Sequence, residues 1–222
     1  LTWPLYRPYG FWRSDLSLHS VYDQTSNNPA DGAPQSIGRS IPIVDTHGKL
    51  IFVRPMRLFH GEMSQTFEPE VYYLYAPFVK QDEMPIYDTT LRTFSYDEAF
   101  SNNRFSGDDR VGDANQVTLG ATSRFINRET GEQLAQVGVA EIYYFRNRHV
   151  DACYGANCST IDSRDQLHRS PIAAFVNYNL GGQWHLNSEM AWDPTQHEFD
   201  NQLSYLQYRR DNHHLINIGY NE

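Results

Sequence analysis

Between Gln116 and Arg146 the chain reads QVTLGATSRFINRETGEQLAQVGVAEIYYFR. Val117, Leu119, Ala121 and Phe125 alternate with Gln116, Thr118, Gly120, Thr122 and Arg124, the turn NRETGE follows, and a second alternating run comes back. Period-2 runs separated by turn residues predict a β-hairpin. The signature recurs along the chain with almost no helical periodicity. In Phe11 to Asp23, Trp12, Leu16, Leu18 and Tyr22 share one face, and Arg13, Asp15, Ser17 and His19 the other. Ile41 to Arg54 puts Pro42, Val44, Leu50 and Phe52 opposite Asp45, His47 and Lys49. Ser64 to Val79 sets Phe67, Val71, Tyr73 and Tyr75 against Thr66, Glu68, Glu70 and Tyr72. PIAAFVNYNL and WHLNSEMAW form another pair across LGGQ, and LSYLQYRR and LINIGYNE a last one.

The connections are predicted to alternate in length. YRPYG, NRETGE, LGGQ and RRDNHH are short, whereas SNNPADGAPQS, the irregular Lys80 to Ala114 segment, the stretch from Asp151 to Ser170 and DPTQHEFDN are longer. An up-and-down antiparallel sheet with one trimmed and one elaborated rim has this rhythm, as in outer-membrane barrels. Alternation alone does not say which face is wet. A soluble sandwich buries its apolar face, and a membrane barrel turns that face to lipid. Two features favour lipid: aromatics gather at strand ends (Trp12, Tyr22, Trp184, Trp192, Tyr143 to Phe145), and the strands are long for a small sandwich. Glu141 falls in the apolar phase, which predicts a bulge or register shift there.

Composition sharpens this picture. The chain has 222 residues, with 15 Tyr, 12 Phe and 4 Trp, a balance that favours strands. Its longest nearly unbroken apolar run, VYYLYAPFV, is far shorter than the ~20 residues of a membrane helix but close to the roughly 9–11 of a tilted spanning strand. A mean hydropathy of −0.63 does not oppose a barrel, whose apolar signal sits at alternate positions. The net charge of −9 argues against nucleic acid as a partner. Much of the acid lies in loop-like stretches such as QDEMPIYD and SGDDRVGD, read as solvated loop surface. The two cysteines, Cys153 and Cys158, allow a local loop disulfide or two free thiols, and their spacing is not that of a redox or zinc pair. Starting at Leu1 without a leader, the chain reads as a processed or excised piece of a longer protein.

At RFSGDDRVGDANQVTLGATSRF, Arg104 to Phe125, and again at SQTFEPEVYYLYAPF, VAEIYYF and YRRDNHHLINIGY, the sequence resembles the C-terminal outer-membrane barrel domain of the LPS-assembly LptD family, also called organic solvent tolerance protein. The likeness covers most of the chain in order. It implies an all-β fold, an antiparallel up-and-down transmembrane β-barrel, present here as an open curved sheet of about ten strands, with residues 1–222 a segment of one barrel domain. It implies a place in the Gram-negative outer membrane and a role in delivering lipopolysaccharide (LPS) to the outer leaflet. An LptE-type lipoprotein plug in the lumen, a periplasmic LPS-transport bridge acting through an absent N-terminal domain, LPS and outer-membrane lipid would be the partners. The family's domain-linking disulfides do not carry over to Cys153 and Cys158, whose context differs.

Against this background the polar rows become candidate lumen lining. Arg13, Asp15, Asp45, Lys49, Glu68, Glu70 and Arg124 are expected to contact the plug or the sugar portion of passing LPS, or to stabilise the inner wall by cross-strand charge pairing. Glu68 and Glu70 could be read as a glycosidase pair, but two residues apart on a strand is what a polar lumen produces by itself. His47 reads as lining, His213 and His214 as turn residues, and the Asn157 sequon carries little weight. The chain has no Ser-His-Asp ordering, Gly-rich phosphate loop or HExxH string, so neither enzyme activity nor a cofactor is expected. The Lys80 to Ala114 segment is expected to cap the barrel from outside. The competing readings are a soluble β-rich carbohydrate-binding module, with its aromatics in one patch, and a passive porin with an open lumen.

Overall fold

The computed structural model describes residues 1–24, 36–58, 61–153, 163–211 and 214–222. The strands are β1 (Thr2–Arg7), β2 (Gly10–Gln24), β3 (Ser36–Leu50), β4 (Phe52–Leu58), β5 (Gly61–Ala76), β6 (Ala114–Asn127), β7 (Gln133–Tyr144), β8 (Ile172–Gly181), β9 (Trp184–Asp193), β10 (Glu198–Arg209) and β11 (Leu215–Asn221). They form one antiparallel sheet in which β1, β2, β3, β5 and then β6 to β11 lie side by side. Lys49 pairs with Glu70 and Phe52 with Phe67 in one unbroken register, so β3 and β4 are a single ribbon interrupted at Ile51. Among the described residues the sheet therefore has ten ribbons, as the hairpin count suggests. Among the described residues no helix is long and apolar enough to cross a membrane.

Local chemistry sets the short turns. In NRETGE the Asn127 side chain accepts the N–H groups of Glu129 and Thr130, and Gly131 takes the left-handed conformation (φ 73°) that completes the reversal. One connection is shorter than its composition suggests. Asp193 Oδ1 accepts the N–H of Thr195 at 2.7 Å and of Gln196 at 3.2 Å, so β10 begins already at Glu198 and DPTQHEFDN is a tight hairpin rather than a long loop. A second correction concerns Glu141, which pairs with Leu119 in undisturbed register; the irregularity in that hairpin lies at Phe125/Ile126 instead. Its charge is met on the sheet surface by Arg169 at 3.1 Å and by the Tyr143 hydroxyl at 2.7 Å, so no backbone shift is needed.

The decisive feature is which face is covered. Leu18 (67% exposed), Leu119 (51%) and Ile218 (64%) belong to an apolar row that none of the described residues covers, whereas Glu68 (2%) and Thr118 (0%) on the opposite face are buried. Leaving such apolar side chains in water would forfeit roughly 1.5–3 kcal/mol each, so this outer face fits hydrocarbon. Hydroxyls on it are matched directly across strands, Ser14 with Thr46 (2.7 Å), Ser20 with Ser40 (2.9 Å) and Ser188 with Ser204 (2.7 Å). That pairing satisfies groups that lipid cannot. On β2, Trp12 and Tyr22 bracket the row. Their ten-residue separation is about 33 Å along the strand and about 25 Å across the layer at a tilt of roughly 40°, the height of an outer-membrane apolar band.

Candidate functional site: the inner wall and its inward loop

All seven sequence-predicted residues lie in the polar phase of their strands, on the inner face, and they fall into three groups. Arg13 Nε stands 2.6 Å from Asp15 Oδ2, and the buried Asp45 lies opposite Asp15 in the β2–β3 register. Lys49 Nζ reaches Glu70 Oε2 at 2.8 Å, and His47 Nε2 lies 2.5 Å from Glu70 Oε1. Arg124 Nε is 3.4 Å from Glu68 Oε1, which also accepts the Thr66 hydroxyl at 2.8 Å. Asp15, Glu68 and Glu70 are partnered by cations or hydroxyls of the wall itself, a pattern that ties the inner wall together.

What the alternation does not reveal is the cover on this wall. The segment between β5 and β6 turns inward and runs across the inner face. The Tyr96 hydroxyl donates to Glu70 Oε2 at 3.2 Å and shares a hydrogen bond with Thr122 at 3.0 Å; the Thr118 hydroxyl donates to the Ala99 carbonyl at 2.6 Å. Phe100 stacks on His47 with centroids 5.6 Å apart, and Asn201 on β10 donates to the Phe94 carbonyl at 2.8 Å. Gly120 is what lets the ring in: a Cβ there would come within 2.7 Å of Phe100 Cζ. The glycine in the polar row of QVTLGATSRF is thus a seat for an aromatic ring. The expected external cap is replaced by an internal one, because the loop's aromatics bury themselves against the wall's own Tyr72, Phe175 and His47.

The loop is tied down by the stretch RFSGDDRVGD. Arg110 is fully buried and donates to the carbonyls of Met84 (2.6 Å), Cys153 (2.7 Å) and Asp109 (2.9 Å). On the β3 wall Arg39 donates to the carbonyls of Asp108 (2.6 Å) and Asp109 (2.8 Å), while Gln81 bonds both N–H and carbonyl of Val111. Asp109 Oδ2 accepts the N–H groups of Tyr87 and Asp88. Asp113, 1% exposed, accepts the N–H groups of His149 (2.9 Å) and Val150 (3.0 Å) and faces Arg104. In QDEMPIYD, Glu83 and Asp88 are exposed as expected of solvated acid, whereas in SGDDRVGD only Asp108 is, with its side chain 93% exposed; Asp109 and Asp113 are structural acceptors. The alternating Arg and Asp of that motif are the one sequence signal that could have marked the knot.

Beside the loop lies a cleft of about 430 Å³ lined by Phe94, Glu98, Arg104, Arg148 and Asp165 among others. Its charges are matched internally, Arg148 with Asp165 at 2.9 Å and Arg92 with Glu98 at 3.3 Å. A second, open groove is lined by Arg13, Asp15, Ser17, Asp45, Tyr72 and Phe100. The choice between a Cys153–Cys158 disulfide and two free thiols turns on Cys158, which lies outside the described residues, as does His213. His214 sits in the last turn, its ring 2.9 Å from Asp211.

An exposed apolar face with a polar, loop-covered back is the geometry of a membrane barrel wall, and comparison with known proteins decides which one. Residues 1–222 match the family described as LptD, LPS transport system D. The chain belongs to the LptD family. It is 34% identical to LPS-assembly protein LptD of Thiobacillus denitrificans over 220 residues, covering 99% of this chain and 29% of that protein. It is likewise 34% identical to the Pseudomonas aeruginosa protein of that name (96% and 24%) and 36% identical to that of Nitrosococcus oceani (85% and 25%). The chain thus spans 24–29% of the length of these relatives. As an LptD-family chain with this sheet, it is a segment of a Gram-negative outer-membrane β-barrel. The family membership and the two exposed aromatic margins do not favour a soluble sugar-binding module.

Proposed function

We propose that this segment forms part of the barrel wall of an LPS translocon, which delivers LPS to the outer leaflet without covalent catalysis and draws its energy from elsewhere. Residues 1–222 would be one stretch of a single barrel domain. A lipoprotein plug of the LptE type would occupy the lumen, and a periplasmic bridge would supply LPS through a domain outside this chain. The observation that carries the reading is the inverted polarity of the sheet in a chain of this family: a lipid-fitting outer face, and an inner wall polar enough to border a hydrated path. The open groove at Arg13, Asp15 and Asp45 is where plug or LPS sugar would meet the wall, since the Arg13 and Asp15 side chains stay partly exposed there.

The test uses the full-length protein in cells depleted of their own copy. Asp15→Lys with Asp45→Lys is expected to lower plug co-purification and the arrival of LPS at the cell surface while the barrel still folds. Unchanged plug binding and unchanged LPS arrival would remove these residues from the transport path.

A further inference from the structure

The outer face carries an arginine that its own wall does not neutralise. Arg146, just beyond β7, donates through Nη2 to the carbonyls of Ala76 (2.5 Å) and Ala114 (3.2 Å), and its Cζ lies 5.4 Å from the centre of the Tyr75 ring. Among the described residues it makes no ion pair with a carboxylate, and its Nε makes no hydrogen bond. Beside β7 itself Arg169 lies opposite Tyr143, its Cζ 5.0 Å from that ring, its Nη2 donating to the Tyr143 hydroxyl at 2.9 Å. Arg169 is paired with Glu141 yet its side chain remains 57% exposed. Tyr75 on β5 and Tyr143 on β7 stand either side of β6, offset by one two-residue step in the register, so the two guanidiniums flank β6 at a separation on the order of 10 Å.

Both cations stand at the rim of long connections, which in outer-membrane barrels faces outward. Below them the outer face continues as Val71 and Leu119, in register with the Glu141 that Arg169 pairs, and then as Val139 one step further down β7. Even with Glu141 set against Arg169, the site keeps a net positive charge on a chain whose net charge is −9. Guanidiniums above an apolar strip, framed by interfacial tyrosines, match one kind of occupant: phosphate for the forks, acyl chains for the strip. A free phosphate would leave the strip unused.

We infer that Arg146 and Arg169, with Tyr75 and Tyr143, form a docking site on the lipid-facing side of the wall for the phosphate-bearing headgroup of an outer-leaflet glycolipid. This rests on the outer-membrane reading above and adds a lipid contact outside the lumen, where LPS leaving the barrel would meet the wall.

The full-length protein, carrying a photo-crosslinking residue at Leu119 and reconstituted in bilayers, is exposed to purified LPS or to phosphatase-treated LPS. Wild-type side chains at the site are expected to give at least fivefold more crosslink with the phosphorylated form. Arg169→Gln should reduce that preference, Arg146→Gln with Arg169→Gln abolish it, and Arg146→Lys retain part of it. Heat-modifiable mobility checks folding, and Arg169→Gln, at an exposed position, carries the test if the double variant does not fold. Equal crosslinking of both LPS forms, or a preference that survives in Arg169→Gln and in the double variant alike, would overturn the site. LPS arrival at the surface is read in parallel: normal arrival without phosphate preference sinks the docking site and leaves the translocon reading standing.

Discussion

His47 on β3 and Glu70 on β5 meet across the inner wall with Nε2 2.5 Å from Oε1, and Phe100 of the inward loop lies flat on the same imidazole, 17° from parallel. One residue thereby joins two strands to the cover above them. Glu70 also holds Lys49 and Tyr96, so it is the point where wall and loop share a charge network. Removing it leaves a largely buried lysine and histidine without their counter-ion. Glu70→Ala in the full-length protein is expected to cost about 3 kcal/mol, seen as a lower temperature for loss of the heat-modifiable band, whereas Glu62→Ala, at an exposed hairpin pair, should leave that temperature unchanged.

The seat at Gly120 makes a separate prediction about permeability. A leucine there would push Phe100 off the wall, and the ring's contacts with His47, Tyr72 and Tyr96 would go with it. Gly120→Leu should raise the conductance of the reconstituted barrel and admit large antibiotics into cells several-fold faster. Phe100→Ala should do the same. If both variants conduct like the wild type, the loop does not limit passage in this sector.

Asp113 ties the loop's stability to pH. Burial by itself would raise its carboxyl, but the N–H groups of His149 and Val150, with the Arg104 guanidinium and the His149 ring, outweigh it and hold the group below its ordinary value of 3.8. A depressed folded-state value means the anchoring is fully present above that ordinary value and is lost as pH falls through the lower folded one. Backbone amides around residues 104–113 should therefore stay protected from hydrogen exchange at neutral pH and open only below about 3.8. Asp113→Asn, forfeiting charge-assisted bonds worth roughly 2 kcal/mol in all, should show faster exchange at pH 7 and a flat response to acid. A wild-type loop that opens between pH 5 and 7 would contradict this assignment.

Much of the architecture is legible from period and turn chemistry because both are local. Trp12 to Tyr22, or Phe67 to Tyr75, declare their two faces without reference to any other strand, and the seven wall residues follow from phase alone. What the chain does not display locally is where a partner comes from. Nothing near Lys80 to Ala114 says that Phe100 will lie on His47 and Gly120, or that Asn201 will donate to the Phe94 carbonyl; those contacts are set by strands far away in sequence. Glu141 misleads for the same reason, since Arg169, which neutralises it, arrives from the next connection. DPTQHEFDN looks like a long loop because its polar residues hide a hairpin that Asp193 closes with its own side chain.

The lipid-facing row makes its own energetic prediction. Arginine at Leu119 or Val139 on the outer face should destabilise the barrel by about 2–4 kcal/mol. Arginine at Ser17 on the inner face, which borders the open groove, should change stability far less. Refolding titrations in bilayers of the full-length variants measure both.

The central claim is the direction in which the apolar rows point, and site-specific quenching reads it directly. In full-length protein with its native cysteines replaced by serine, a fluorophore is placed by cysteine substitution at Leu18, Leu119 or Ile218 on the outer face and at Ser17 on the inner one. The account predicts strong quenching by nitroxide-bearing lipid at the first three positions, with little effect of aqueous iodide, and the opposite at Ser17. Iodide quenching of the three outer positions with no response to the lipid quencher would contradict it.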